Sequence, residues 1–116
     1  MIYFDFIDLA KRLPTDEDPI PRLDHVHKNG HFLYLKISGQ LKGYAELYVL
    51  NDVPEYPVIP WPKNEQGGKF LYCFAAVCEK GYIKDLIDMA KRTFKDCKYL
   101  CYHRHKRGNA LHIERM

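Results

Sequence analysis

The stretch from Lys69 to His105, KFLYCFAAVCEKGYIKDLIDMAKRTFKDCKYLCYHRH, decides the fold of this chain. It opens with an apolar, aromatic-rich run from Phe70 to Cys78, which is too short to cross a bilayer and is typical of a buried strand. Apolar residues then recur at helical steps of three and four, at Ile83, Leu86, Ile87, Ala90 and Phe94. A second strand follows from Lys98 to His103. Strand, helix and strand in this order predict a right-handed βαβ crossover over residues 69–105, with parallel strands.

The remaining elements surround this unit. Apolar residues at helical spacing predict an N-terminal helix over residues 1–13, which Pro14 ends. Alternating runs at residues 31–38 and 44–51 predict a β-hairpin, and residues 110–115 predict a last strand that returns against the second crossover strand. The order is α-β-β-β-α-β-β, an α/β (α+β) class with one mixed sheet in a single domain over residues 1–116.

Two connecting segments differ in character. The stretch from Arg22 to Asn29 is polar, holds His25 and His27, and ends at a turn-prone Asn29–Gly30; no helix is assigned to it. Residues 52–68 form a proline-rich loop, which is expected to run extended and to cover part of the sheet or meet a partner.

The net charge of +3 conceals an asymmetry, because residues 1–90 carry −3 and residues 91–116 carry +6. A basic C-terminal quarter favours an anionic partner, namely a nucleotide, a nucleic acid or an acidic protein face, and the alternative is a solvated strand edge protected by charge. Its densest part is a candidate anion- or nucleic-acid-binding cluster of His103, Arg104, His105, Lys106 and Arg107. If the strand continues, His103, His105 and Arg107 share one face and suit a row of phosphates.

Four cysteines invite a metal or disulfide interpretation: Cys73, Cys78, Cys97 and Cys101. Strand alternation places Cys73 and Cys78 on opposite faces, and Cys97 and Cys101 on one face about 13 Å apart. Four thiolates in that arrangement do not converge on zinc. We therefore expect free, buried thiols in a reducing compartment and no metal.

An antiparallel meander followed by a crossover and a returning strand resembles the core of the GNAT N-acetyltransferase fold over residues 31–116. The resemblance is closer to toxin-activating lysine acyltransferases and to small GNAT-like bacteriophage proteins. Their central aromatic strand, basic helix and basic closing strand are similar to FLYCFAAV, IKDLIDMAKRTFK and KYLCYHRHKRG, respectively. The resemblance implies that the two crossover strands splay apart and hold acyl-CoA, with its pyrophosphate on the helix N-terminus. The residues it implies for this cofactor site are Ala76, Val77, Lys80, Gly81 and Tyr82.

The chain departs from the family pattern in its catalytic motifs. The phosphate loop holds a single glycine, Gly81, and the strand over residues 69–78 holds no carboxylate. The candidate general bases are Glu46 and His31, and the candidate proton donors are Tyr99 and Tyr102. Each has a simpler interpretation, since Glu46 suits an outward-facing acid and the tyrosines suit sheet packing.

Three functions remain open from the sequence. One is an acyl-CoA-dependent N-acyltransferase, degenerate in its motifs. Another is a non-catalytic structural or assembly protein, such as a bacteriophage virion component. The third is a small basic nucleic-acid-binding domain. Acidic residues interrupt the apolar N-terminus, so no signal peptide and no membrane partner are expected, and the predicted location is the cytoplasm or a phage particle.

Overall fold

The structure is a computed structural model that describes residues 7–8, 10–11 and 18–116, apart from the side chain of His105. It is a mixed α+β fold. From residue 18 onward, the described chain forms two helices, one 3₁₀ turn and five strands, in the order α1 (Ile20–Asn29), β1 (His31–Ile37), β2 (Gln40–Leu50), β3 (Phe70–Cys78), α2 (Ile83–Thr93), β4 (Tyr99–Arg104), the 3₁₀ turn (His105–Arg107) and β5 (Ala110–Arg115).

The five strands form one sheet in the order β1-β2-β3-β4-β5. Neighbours pair antiparallel except β3 and β4, which are parallel and joined through α2. The α/β (α+β) class, the five strands and the parallel crossover predicted from residues 69–105 are confirmed. Parallel neighbouring strands need a long connection, and the helix predicted from the apolar period of residues 83–93 provides it.

Helix α2 covers one face of the sheet, here called the α2 face. Leu86 and Ala90 are buried there against Leu71 of β3 and Leu100 of β4. Ile83 lies away from the sheet and is half exposed. The apolar stripe predicted from the sequence is therefore confirmed from Leu86 to Phe94, and its first member, Ile83, does not pack in the core.

Helix α1 covers the opposite face, here called the α1 face, and the sequence analysis did not assign it. Leu23 and Val26 are fully buried against Tyr44 and Tyr48 of β2. The sequence pattern that indicates this helix is weak, because only two apolar side chains mark its buried side and the rest of the helix is mostly polar. Burial against the sheet, rather than intrinsic propensity, stabilises it.

Part of the predicted N-terminal helix is described. Ile7, Asp8 and Ala10 have helical backbone, and the Lys11 N–H donates to the Ile7 carbonyl at 3.1 Å. Ala10 is buried against Leu23. The other residues of the predicted range 1–13 lie outside the described residues.

The proline-rich loop forms no helix or strand and extends the cover of the α1 face, as predicted. Val53 and Val58 pack against the aromatic cluster of β2 and β3. The His25 ring nitrogen Nε2 donates to the Pro62 carbonyl at 2.7 Å, which ties the loop to α1. Within the described residues, no helix is both long and apolar enough to span a membrane.

Candidate functional site

The parallel strands β3 and β4 pair only at their N-terminal ends. Their register joins three residue pairs: Phe70–Tyr99, Leu71–Leu100 and Tyr72–Cys101. Strand β3 continues to Cys78 beside β2, and β4 continues to Arg104 beside β5. An opening therefore separates residues 73–78 of β3 from residues 102–104 of β4, and no strand of the described chain pairs inside it.

A β-bulge explains why β3 leaves β4 at this point. Glu46 of β2 pairs with Ala75 and Leu47 pairs with Cys73, so Phe74 is an extra residue in β3. A bulge bends the strand that carries it and increases its twist. Phe74 lies two residues after Tyr72, the last residue of β3 that pairs with β4, so the bend coincides with the start of the opening.

Small side chains occupy the middle of the β3 edge of this opening. Ala75 and Ala76 are partly exposed, and Val77 is nearly buried. The backbone N–H and C=O groups that alternate along this edge have no partner strand on the β4 side. Ala76 and Val77, for which the resemblance implies a cofactor role, both lie on this edge; that role stays a prediction.

The crossover turn at the end of β3 brings Lys80, Gly81 and Tyr82 to the N-terminus of α2. Gly81 has a φ of +95°, a backbone conformation that residues with a side chain rarely adopt, so the turn requires glycine at this position. Lys80 is exposed, while Glu79 forms an ion pair with Lys42 at 3.3 Å. The turn therefore offers one cation and the unpaired N–H groups of a helix start.

On the β4 side, three polar side chains form a cluster on the α2 face. An Arg104 guanidinium N–H donates to His112 Nδ1 at 2.7 Å, and the His112 ring lies 4.9 Å from the Tyr102 ring. Tyr102 lies just beyond the last β3–β4 pair, beside the opening. His112 was missed from the sequence, although the register of the β4–β5 hairpin, which pairs it with Tyr102, is the signal that finds it.

Glu46 lies elsewhere, fully buried beneath α1, so its interpretation as an outward-facing acid was wrong. Arg22 donates two hydrogen bonds to its carboxylate at 2.8 and 3.1 Å, and the Tyr44 hydroxyl donates a third at 2.8 Å. Burial disfavours the charged form of Arg22, but the hydrogen bond to Glu46 has the larger effect, so the pKa of Arg22 is raised. Burial, with the charge of Glu46, raises the pKa of Tyr44 well above its usual range. This arrangement holds the core together and gives a substrate no access to the carboxylate.

His31 and Tyr99 also lie apart from the opening. The His31 ring is 5.0 Å from Phe94, just past the C-terminal end of α2, and burial lowers its pKa. An α2 of this length separates that end from Gly81 by about 16 Å at 1.5 Å per residue. Tyr99 begins β4 and stacks on Phe70 at 5.2 Å, on the closed side of the divergence.

The basic cluster does not present one face, which corrects the prediction of a phosphate-binding row. Residues 105–107 form a 3₁₀ turn, so the strand alternation assumed for His105, Lys106 and Arg107 ends at Arg104. His103 lies on the α1 face, where its Nδ1 is 2.7 Å from the Tyr72 hydroxyl. Arg104 lies on the opposite face with His112, while Lys106 and Arg107 are exposed in the turn.

All four cysteines are free thiols, but the faces assigned to them were wrong. The bulge shifts the alternation of β3, so Cys73 and Cys78 both pack on the α2 face. Cys97 precedes β4 and is buried on the α2 face, whereas Cys101 is buried on the other. Burial, followed by the charge of Glu46, raises the pKa of Cys73 to about 12, which leaves its thiol protonated at neutral pH and a poor nucleophile.

Two surface grooves lie away from the opening. One of about 740 Å³ runs between β1 and α2, and one of about 640 Å³ follows the proline-rich loop. In the described part of the chain, no group of three or more histidine, cysteine or acidic side chains is placed to hold a metal ion.

No protein-family model matches this chain, and neither a curated protein nor a solved structure matches it.

Proposed function

We propose that the protein binds acyl-CoA, or a ligand of the same design, in the opening between β3 and β4. The observation that carries the proposal is that β3–β4 pairing ends at Tyr72 and Cys101, which leaves residues 73–78 unpaired on that side up to the turn before α2. Such a ligand joins an extended arm with amide groups to a diphosphate. The arm needs backbone partners along an extended line, and the diphosphate needs donors and positive charge.

The two parts of the site match the two parts of that ligand. Residues 73–78 extend about 20 Å at 3.3 Å per residue and present backbone donors and acceptors beside small alanine side chains. The start of α2 presents its N–H groups, and Lys80 adds a positive charge. Asp85, in the first turn of α2, opposes an anion there. We expect a dissociation constant of about 0.1–1 mM, or about −4 to −5.5 kcal/mol.

Acyl transfer is the second part of the proposal, in a degenerate form of the GNAT-like arrangement. In that reaction an acceptor amine attacks the thioester carbon, the carbon–sulfur bond breaks, and the leaving thiolate takes a proton. Tyr102 is the candidate donor because it lies beside the opening. No described carboxylate or histidine from the sequence-based set accompanies it, since Glu46 is sealed in the core and His31 lies beyond the far end of α2. We therefore expect slow acyl transfer, or binding of acyl-CoA without transfer.

Calorimetric titration tests the binding. CoA and acetyl-CoA should bind, while pantetheine, which lacks the diphosphate, should bind more weakly. Lys80→Glu should weaken CoA binding about fivefold at low salt, through lost attraction near a helix terminus, and less at high salt. Lys63→Glu, which changes another exposed lysine, on the proline-rich loop, is the matched control and should leave affinity unchanged. Absence of heat and of thermal stabilisation with all three ligands would contradict the proposal.

Thiol release from acetyl-CoA with small amine acceptors tests the transfer. Tyr102→Phe should reduce any release several-fold, because it removes the hydroxyl at the opening. Tyr99→Phe removes a hydroxyl on the closed side and should not. Equal rates in both variants would remove Tyr102 from the reaction while leaving the binding proposal intact.

A second candidate, a structural or assembly protein such as a virion component, is favoured by a different observation. Tyr56 and Ile59 of the proline-rich loop are 50% and 81% exposed, so this loop offers apolar side chains to a partner. A protein of this kind would show the same fold stability with no response to CoA. The nucleic-acid alternative has less support, because His103 and Arg104 lie on opposite faces of the sheet and residues 105–107 form a 3₁₀ turn instead of continuing the strand.

A further inference from the structure

Strand β5 lies at one end of the sheet, and its outer edge has no partner strand in the described chain. Its register with β4 is unbroken from Ala110 to Arg115. The strand contains no lysine or proline, which proteins commonly place on exposed edges to prevent pairing with another chain. The outer edge of β5 is therefore a regular strand edge that can accept an added strand.

The hydrogen bonds of the β4–β5 hairpin identify the backbone groups on this outer edge. The Met116 N–H donates to the Lys98 carbonyl at 2.9 Å, so these two residues form a hydrogen-bonded pair. In an antiparallel ladder, such pairs alternate with pairs whose backbone groups point away from each other. Every second residue of β5 therefore directs its N–H and C=O outward, namely Leu111, Ile113 and Arg115.

The centre of the outer edge is apolar. Ile113 lies opposite Cys101, which is buried on the α1 face, so Ile113 and Leu111 both lie on that face. Their side chains are 46% and 43% exposed. Apolar side chains of an added strand would lie directly beside them, and such cross-strand pairs stabilise a sheet. The edge therefore suits an extended peptide with apolar side chains at alternate positions.

The hairpin that carries this edge is strongly basic. The one acid of residues 98–116, Glu114, already has partners in its own chain, because its carboxylate lies 3.7 Å from Lys91 Nζ and 3.9 Å from His112 Nε2. Two copies of the hairpin would bring like charges together, so a second copy of this chain is a poor occupant of the edge. The net charge of residues 98–116 is +4, from five cations against Glu114: Lys98, Arg104, Lys106, Arg107 and Arg115.

Exposed cations lie at both ends of the apolar centre. Lys106 and Arg107 lie in the 3₁₀ turn that precedes β5, and Arg115 is its last residue. Among the described residues, none of these three cations forms an ion pair with an acid. The charge of the edge is therefore available to an acidic partner, and the partner's acids would lie on both sides of its apolar residues.

We propose that the outer edge of β5 binds an extended acidic segment of another protein as an added strand. Alternate apolar side chains of the segment lie beside Leu111 and Ile113, and its acidic ends lie beside the cations of the turn and Arg115. A nucleic acid would satisfy the cations but neither the alternating backbone groups nor the apolar centre. The proposal is independent of ligand binding in the β3–β4 opening.

Fluorescence anisotropy with a synthetic peptide tests the proposal. The probe is a blocked, labelled peptide with two glutamates at each end and alternating valine and threonine between them. It should bind with a dissociation constant of about 10–100 μM, in the range of small interfaces, and more weakly as salt rises. The same peptide with lysine in place of glutamate should bind at least about tenfold more weakly. A peptide with N-methylated central amides, which cannot donate hydrogen bonds, should lose affinity to the same extent.

Variants of the protein place the contact. Arg115→Glu should weaken peptide binding about fivefold, whereas Lys36→Glu, an exposed lysine on the opposite edge strand β1, should not change it. Ile113→Pro removes an outward-facing N–H, a change that edge strands tolerate, and should weaken binding about fivefold relative to Ile113→Val. Far-ultraviolet circular dichroism melts show that each variant is folded.

Four outcomes would overturn the proposal. One is the absence of saturable binding of the glutamate peptide up to about 1 mM, which would leave the basic edge as a solvated surface. Another is equal binding of the N-methylated or the lysine peptide. A third is a loss from Lys36→Glu as large as that from Arg115→Glu. The last is displacement of the peptide by a single-stranded oligothymidine that binds more tightly, which would assign the surface to nucleic acid.

Discussion

The two halves of strand β3 have similar apolar sequences but different surroundings. Residues 70–72 have a paired neighbour on both sides, β2 and β4, and Leu71 among them is fully buried. Residues 73–78 have β2 on one side and the opening on the other. The extra residue, Phe74, lies near the start of the second half. The comparison shows that a local change in backbone register, rather than side-chain composition, can divide a strand into a part that is paired on both sides and a part with one unpaired edge.

A buried ion pair lies directly beside this division, because Glu46 is the residue of β2 that faces Ala75 just after the bulge. Its partner Arg22 comes from α1 and its third hydrogen bond from Tyr44. A buried, fully bonded carboxylate fixes the position of β2 beneath α1. We infer that this network holds β2 while β3 bends.

Removing that carboxylate should produce the largest effect on stability. Glu46→Ala leaves the Arg22 guanidinium buried without its partner and should lower the free energy of unfolding by about 3–5 kcal/mol. Urea unfolding measures the loss. Glu55→Ala, at an exposed acid of the proline-rich loop, is the control and should change stability by about 0.5 kcal/mol or less. Similar small losses for both variants would mean that the network does not fix β2.

Truncating the side chain of α2 that packs over residues 70–72 of β3 should have the next largest effect on stability. Leu86 of α2 is buried in the cluster that contains Leu71, so Leu86→Ala should cost about 2–5 kcal/mol, as large-to-small core changes do. Ile83→Ala truncates a half-exposed side chain on the same helix and should cost about 1 kcal/mol or less. Equal losses in urea unfolding would show that the buried face of α2 is assigned incorrectly.

The smallest effect concerns pH and lies far from the opening. Burial beside Phe94 lowers the pKa of His31, so the unfolded chain binds a proton more readily than the folded one. Stability should therefore rise as pH increases through the ordinary range of histidine near 6.5 and fall below it. His31→Asn should flatten this dependence between pH 5 and 8 in thermal melts. An unchanged slope would show that another group is responsible.

Much of the fold followed from the sequence because strong local signals agreed with tertiary structure. The apolar run of residues 70–78 and the helical stripe through Leu86 gave the crossover, and alternation gave the other strands. Helix α1 was missed because only Leu23 and Val26 mark its buried side, so the sheet rather than the helix determines it.

Less of the site could be predicted, because it depends on contacts between segments distant in sequence. Nothing in the run FLYCFAAV marks Phe74 as the extra residue, and the bulge becomes visible only when β2 is paired against it. Glu46 read as an exposed acid because its partner Arg22 lies on the missed helix. The position of Lys80, Gly81 and Tyr82 at the start of α2 was predicted, since it follows directly from the end of one strand and the start of one helix; their binding role stays a prediction.

Amide hydrogen exchange along β3, followed by NMR with and without CoA, tests the central claim most directly. The amides of residues 70–72 should be protected in both conditions. Alternate amides of residues 73–78, those directed towards β4, should exchange at least tenfold faster without ligand and become protected at saturating CoA. Uniform slow exchange along the whole strand, unchanged by CoA, would contradict both the opening and its proposed ligand.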